Sequence, residues 1–340
     1  MQLIDYTDQN LPPVEGYDLI GDVHGCGATL ERLLQKLGYS KIQNVYQHPR
    51  RRVIFLGDII DRGPRIREAL LLAHSMVQKG SALMVLGNHE FNAITYCTRV
   101  RGNIVRPGEE ETVEYLRPHT PGYTRQIAET LEQFAHYPEE WNELIEWFKT
   151  QPLFMELGDA SAGNRFRVVH ACWDNELIAA HRARFGDGHF DEDFIHESAE
   201  PNSLSAKTKQ RLISGVALPL PQGMSLVSSD GYERNSFRTK FWSPRAQTYG
   251  ELLFQPDPLP KAIAKEPISK DHRSQMVNYS PEEPPLFIGH YWLRGQPKPI
   301  TNNVACLDYS AVKYGRLVAY RMNGEQQLNA KNFVWVYVDP

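Results

Sequence analysis

Cysteine is scarce in this chain. There are four in 340 residues, Cys26, Cys97, Cys172 and Cys306, far apart and with no C-x-x-C pair. That argues against a disulfide framework or a zinc knuckle and for reduced thiols in a cytoplasmic setting. An excess of one charge is also lacking: 37 Lys and Arg stand against 41 Asp and Glu, a formal net charge of -4. Such a balance makes no electrostatic case for nucleic acid or a membrane surface. No apolar run reaches the length that crosses a bilayer. The stretch Met1–Asp8 has no basic region followed by an apolar core, so no signal peptide is expected.

What is present is a β-α-β-α-β pattern with polar clusters at each strand end. Tyr17–Ile20, Val53–Leu56 and Leu83–Leu86 are short apolar runs that predict buried parallel strands. A helix follows the first, with Leu30, Leu33, Leu34 and Leu37 on one face and Gly38 as its stop. Another is expected to start at Pro64, with Ile66, Ala69, Leu70, Ala73 and Met76 inward. Arg101 to Gly122 reads as loop, then Tyr123–Tyr137 and a segment from Pro138 read as helices. Residues 99–150 are thus a helical insertion, either a lid over a site or plain scaffold. Strands are expected at Pro152–Leu157, Phe166–Val169, Phe237–Trp242 and Leu286–Gly289, with Val304–Leu307, Leu317–Tyr320 and Phe333–Val338 as closing antiparallel strands. Residues 174–285 form an irregular region. The length fits one α/β domain over residues 1–340.

In parallel sheets, ligands sit beyond the carboxyl ends of the strands. Those ends carry Asp22 and His24, then Asp58, Asp61 and Arg62, then Asn88 and His89, and later His170 and His290. Each alone has a plain explanation: Asp22 as a helix N-cap, Asn88 as a turn residue, Arg62 as a surface ion pair, His170 as a satisfied buried histidine. Together they place three acids, an amide and four histidines on one side of a sheet. Carboxylate, imidazole and amide donors suit borderline divalent ions such as Mn²⁺, Fe²⁺ or Zn²⁺.

The segments Gly21-Asp22-Val23-His24-Gly25, Gly57-Asp58-Ile59-Ile60-Asp61-Arg62-Gly63 and Gly87-Asn88-His89-Glu90 resemble the three ordered motifs of the calcineurin-like metallophosphoesterases. The Asp-Arg-Gly ending is most similar to the phosphoprotein phosphatase branch. Val168-Val169-His170 and Ile288-Gly289-His290 resemble its two trailing histidine motifs. The insertion, Leu307-Asp308-Tyr309-Ser310 and Gly315-Arg316-Leu317-Val318 resemble bacterial phosphatases of the cold-active protein-tyrosine phosphatase type.

The resemblance implies a four-layer α/β sandwich, two mixed β-sheets flanked by helices, around two divalent metal ions. Manganese is the first expectation, with iron, zinc or nickel as alternatives. Asp22, His24 and Asp58 would hold one ion; Asp58, Asn88, His170 and His290 would hold the other. His89, oriented by Asp61, would be the general acid, and Arg62 would bind phosphate oxygens, with Arg238 and Arg294 as candidates for a second phosphate-binding arginine. The implied activity is phosphomonoester hydrolysis, on phosphoprotein or a small phosphate ester, by in-line attack of a metal-bridging hydroxide. Dinucleoside polyphosphate hydrolysis or a nucleic-acid end phosphatase is the alternative, and a catalytically silent phosphate-binding scaffold is a remote one. The eukaryotic-type enzymes carry His-Gly-Gly where this chain has His170-Ala171-Cys172, and they carry a Ser-Ala-Pro-Asn-Tyr-Cys-like loop that is missing here. Their regulatory subunits are therefore not expected as partners.

Overall fold

The computed structural model describes residues 14–101, 114–220, 225–227, 233–254, 259 and 261–338. Two mixed β-sheets pack face to face with helices on their outer sides. The larger has six strands. Gly16–Ile20, Arg51–Phe55 and Ala82–Met84 run parallel. Arg316–Met322 pairs antiparallel with Gly16–Ile20 and is flanked by Asp308–Tyr309 and Phe333–Tyr337. In the four-stranded sheet, Leu286–Ile288 runs parallel to both Phe166–Val169 and Val304–Cys306, and Phe154–Leu157 closes the edge antiparallel.

Period-2 alternation assigns the layers. Ile54 and Leu56 join Leu19, Val168, Phe287 and Val318 in the core between the sheets. Val53 and Phe55 point the other way, into the core shared with Leu30, Leu33, Leu34, Ile66 and Leu70 of the outer helices Gly27–Lys36 and Ile66–Gln78. Apolar on both faces, these strands are continuous hydrophobic runs because nothing on either side is wet.

Register positions the site. Ile20 lies beside Phe55, and Phe55 beside Met84, so the three loops that follow leave the sheet together. Leu286 lies beside Arg167, and Ile288 beside Cys306, which brings the segments after Val169, Ile288 and Cys306 to the same end of the second sheet. A backbone bond then joins the sheets at that end, from Leu86 N–H to Pro152 O at 2.9 Å.

Several expectations need correction. Val304–Cys306 is a parallel strand of the smaller sheet, not an antiparallel closing strand, and the chain crosses into the larger sheet at Asp308. The second helix begins at Ile66 rather than Pro64, because Arg65 is its non-helical cap. In the Phe237–Trp242 stretch only the start is strand, as Ser236–Arg238, after which the chain turns. The hairpin Ser40–Ile42 with Val45–Gln47 was missed: it is three residues a side around Gln43-Asn44, both left-handed. The insertion is helical at Pro121–Phe134 and Pro138–Lys149, each with proline in its first turn. The loop expected at Arg101–Gly122 lies partly outside the described residues.

Candidate metal centre and active site

Backbone strain concentrates where the three loops meet. Ten non-glycine residues occupy the left-handed region among the described residues, and five of them are His24, Asp58, Asp61, Arg62 and His290. Each such conformation costs on the order of 1–3 kcal/mol and persists only where surrounding contacts impose it. Here the contacts are close. A Cβ on Gly87 would lie 2.2 Å from Asp58 Oδ1, and one on Gly289 would lie 2.1 Å from Asp22 Oδ1. Glycine is required at both positions because backbone must approach carboxylate.

Asp58 is the hub. It is 2% exposed, and its Oδ2 faces three imidazole nitrogens: His170 Nε2 at 3.3 Å, His24 Nε2 at 3.7 Å and His89 Nε2 at 3.9 Å. The other ring nitrogens are anchored. His24 Nδ1 donates to Ile60 O at 2.9 Å, and His170 Nδ1 donates to Leu56 O at 2.6 Å. Those bonds select the tautomer and leave each Nε2 aimed inward. Asn88 Oδ1 lies 2.8 Å from His290 Nδ1 and 3.2 Å from His170 Nε2. Asp22 accepts the His290 backbone N–H at 3.1 Å.

Two groups of ligand atoms result, each spanning less than 4.8 Å: His24, Asp58 and His89, and Asp58, His170 and His290. They share Asp58. The first contains His89, where Asp22 was expected; Asp22 stands beside both, near enough for the charges of Asp58 and His170 to act on it.

The electrostatics are those of a site short of positive charge. Burial, with Asp308 and Asp58 nearby, pushes Asp22 well above the usual carboxylate range. Asp58 also loses hydration on burial, but the His170, His89 and His24 charges hold it well below that range. Burial and the Arg62 guanidinium push His24 down. Burial lowers His170, yet the Asp58 and Asp22 carboxylates outweigh it and raise His170 to about 10. His290 Nε2 and Asp308 Oδ2 are buried without a hydrogen-bond partner among the described residues. Packed acids, inward-facing imidazoles and orphaned polar atoms fit a divalent cation pair, because cations would neutralise the acids and give those donors a partner.

Beside this cluster, His89 Nδ1 is 2.5 Å from Asp61 Oδ2. Asp61 Oδ1 accepts Thr130 Oγ1–H at 2.5 Å, and Asp61 N–H donates to the same hydroxyl at 3.1 Å. Arg62 is exposed and reaches across the site: Nη1 lies 3.1 Å from His24 Nε2, Nη2 lies 3.0 Å from His89 Nε2, and the guanidinium sits 4.9 Å from the Trp292 ring centre. Arg238 is half-buried and, after burial, is the largest influence lowering His290. Arg294 is exposed.

Sequence reasoning missed four residues here. Glu90 is fully buried and accepts backbone N–H groups from Gly87, Asp58, Ile59 and Ile60 at 2.7–3.3 Å, which clamps the second loop to the third. Its place in the Gly87–Glu90 motif was the available signal. Asp308 falls against Asp22 because the Leu307 backbone abuts Gly21. Trp292 and Thr130 had no local signal. Through Thr130 the insertion reaches the site, and Gln133 Oε1 accepting Ile66 N–H at 2.7 Å and the bidentate Arg67–Glu140 pair tie it to the helix Ile66–Gln78.

A family model described as calcineurin-like phosphoesterase matches residues 18–212, more than half of the chain. The bis(5'-nucleosyl)-tetraphosphatase PrpE [asymmetrical] of Halalkalibacterium halodurans is 47% identical over 74 residues, 22% of this chain and 30% of that protein. The match thus spans about a third of that relative's length. Among solved structures, a putative diadenosine tetraphosphatase is 16% identical with a TM-score of 0.43, covering 96% of each chain. The cold-active protein-tyrosine phosphatase of a Shewanella species is 15% identical with a TM-score of 0.45, covering 96% of this chain and 81% of its own. No helix among the described residues is long and apolar enough to cross a membrane.

Proposed function

Since the chain belongs to the calcineurin-like phosphoesterase family, we propose that it is a binuclear-metal phosphomonoesterase acting on phosphoprotein or a small phosphate ester. The observation that carries this reading is one carboxylate, Asp58, shared by two ligand groups beside a histidine–carboxylate pair. Asp22, His24 and Asp58 would hold one ion, and Asp58, Asn88, His170 and His290 the other. Manganese fits the mixture of oxygen and nitrogen donors, with iron, zinc or nickel as alternatives. Two bound dications supply Lewis acidity: they lower the pKa of a water and draw charge off phosphoryl oxygens.

The chain's own side chains supply the rest. The Arg62 guanidinium has a planar fork that matches two phosphoryl oxygens. A phosphate would take over the bonds its two terminal nitrogens now make to imidazole. His89 presents Nε2 toward the cluster while Asp61 holds Nδ1–H. The Asp61 carboxylate on one ring nitrogen fixes the direction of the ring, so the other nitrogen is placed to give a proton to the departing oxygen. Thr130 would hold Asp61 in its direction. Arg238, near His290, is the better candidate of the two for a second phosphate contact. A cytoplasmic setting belongs to the same proposal and is supported by four unpaired thiols, three of them buried.

The test is hydrolysis of p-nitrophenyl phosphate by metal-stripped protein with Mn²⁺ added back, beside Asp58→Asn. Turnover that depends on Mn²⁺ and disappears in the variant is the expected result. No turnover with Mn²⁺, Fe²⁺, Zn²⁺ or Ni²⁺ would overturn the reading. A second reading, dinucleoside polyphosphate hydrolysis, is favoured by the names of the relatives that share the motif region. A rate comparison between diadenosine tetraphosphate and phosphopeptides separates the two.

A further inference from the structure

A half-buried cation without a carboxylate partner stands next to the proton-donor pair. Arg117 lies just ahead of the Pro121–Phe134 helix. Its Nη1 donates to Asn92 Oδ1 at 3.0 Å and its Nη2 to Gln126 Oε1 at 2.7 Å. Both acceptors are neutral amides. Among the described residues Arg117 forms no ion pair, whereas Arg67 and Arg101 of the same part of the chain sequence each have one. A guanidinium offers five N–H donors, and most of these remain unused. The Tyr123 ring covers the guanidinium at 3.9 Å from its centre. Burial lowers the Arg117 pKa, and the Tyr123 and Asp61 charges act on it in the opposite direction.

A cavity of about 10 Å³ joins this arginine to the chemistry. Asp61, His89, Asn92, Arg117, Tyr123 and Gln126 are among its walls. It has room for about one oxygen-sized atom. Tyr123 is 39% exposed and Arg117 is part-exposed, so the cavity lies near the surface. Charges removed from water are normally paired. An unpaired one beside a functional dyad is what an anion-binding position requires.

We propose that Arg117 forms an anion subsite on the leaving-group side of His89, taking an oxyanion carried by the substrate's leaving group. The preferred substrates are then phosphate esters or anhydrides whose departing group is itself anionic near the scissile P–O bond. The next phosphate of a polyphosphate and a carboxylate share that chemistry. The assignment rests on the phosphatase reading, because His89 marks the leaving group only if it donates the proton. Arg117 comes from the helical insertion, so the insertion would contribute to substrate choice as well as support.

The test compares kcat/KM of the Mn²⁺-loaded full chain, Arg117→Gln and Arg117→Lys on three probes. These are phenyl phosphate, carboxyphenyl phosphate and a nucleoside diphosphate. Loss of a charge-assisted bond predicts a decrease of roughly tenfold or more in Arg117→Gln on substrates with an anionic leaving group. Phenyl phosphate should fall by less than about threefold, and Arg117→Lys, which keeps the charge without the fork, should lie between. A selective loss on the diphosphate alone assigns the subsite to phosphate, and a selective loss on the carboxylate alone assigns it to carboxylate. Equal losses on all three probes, in both variants, would overturn the subsite and leave Arg117 a structural residue while the phosphatase reading stands. No turnover by the unaltered protein on any probe would remove both. Melting temperatures of the variants separate misfolding from lost recognition, and if Arg117→Gln fails to fold, Arg117→Lys alone decides, since a subsite requires its loss to be confined to the anionic probes.

Discussion

Thr130→Val changes the dyad without touching metal ligands or substrate. Valine keeps the shape and removes the hydroxyl. Thr130 is fully buried, and its Oγ1 is the partner of both Asp61 Oδ1, at 2.5 Å, and Asp61 N–H, at 3.1 Å. Two buried polar atoms would therefore lose a partner together. A hydrogen bond to a charged group is worth about 1.5–3 kcal/mol, and an orphaned buried N–H costs about 1–3 kcal/mol. The expected destabilisation is about 2.5–6 kcal/mol by the same figures, read from urea unfolding. The catalytic effect should depend on the leaving group. A well-placed general acid is worth about 10²–10⁴-fold, and a loosened one should forfeit part of that, roughly 10- to 100-fold in kcat on phenyl phosphate. p-Nitrophenolate needs little protonation, so p-nitrophenyl phosphate should lose far less. Thr130→Ser should restore both stability and rate. Equal losses on the two esters, or a serine variant no better than valine, would refute the claim that Thr130 acts through Asp61 and His89.

Other outcomes follow from the same geometry. His89→Ala should also lower turnover on phenyl phosphate much more than on p-nitrophenyl phosphate; equal losses would remove His89 as the proton donor. Glu90→Gln would set an amide N–H₂ against one pair of N–H groups, Gly87 with Asp58 or Ile59 with Ile60, and should destabilise by about 2–4 kcal/mol; a loss near zero in urea unfolding would show that the clamp is dispensable. In metal-free protein His170 is raised to about 10, overcoming its burial, mainly by Asp58. A raised imidazole stabilises the fold fully below its unfolded pKa of about 6.5, and that contribution is lost as pH rises through about 10. Binding of Mn²⁺ at neutral pH should therefore displace the His170 proton and tighten as pH rises toward about 10. Calorimetry in buffers of different ionisation enthalpy reads the released proton; no release would show that Nε2 is not a ligand.

Much of this site was legible in the sequence because its residues follow strands. Asp22, His24, Asp58, Asp61, Arg62, Asn88, His89, His170 and His290 each stand within a few residues of an apolar run, and register alone brings those ends together. Asp58 belongs to both groups of ligand atoms, and His89 Nδ1 lies 2.5 Å from Asp61 Oδ2. Residues that support the chemistry from elsewhere were not legible. Thr130 and Arg117 lie in an amphipathic insertion whose periodicity reports only which face is buried. Asp308 reads as part of an ordinary strand.

The order and type of the early elements, their apolar faces and the donor chemistry are local properties, encoded in hydrophobic period, turn residues and side-chain type. Tertiary structure decided the rest. Val304–Cys306 joined the smaller sheet in parallel while Asp308 crossed to the larger one, a choice that depends on which edge is free once Leu286–Ile288 is placed. It also set Thr130 under Asp61 and Arg117 beside His89, contacts between segments far apart in the chain. No local pattern encodes such a contact, because its energy exists only after the layers have packed and water has left the space between them.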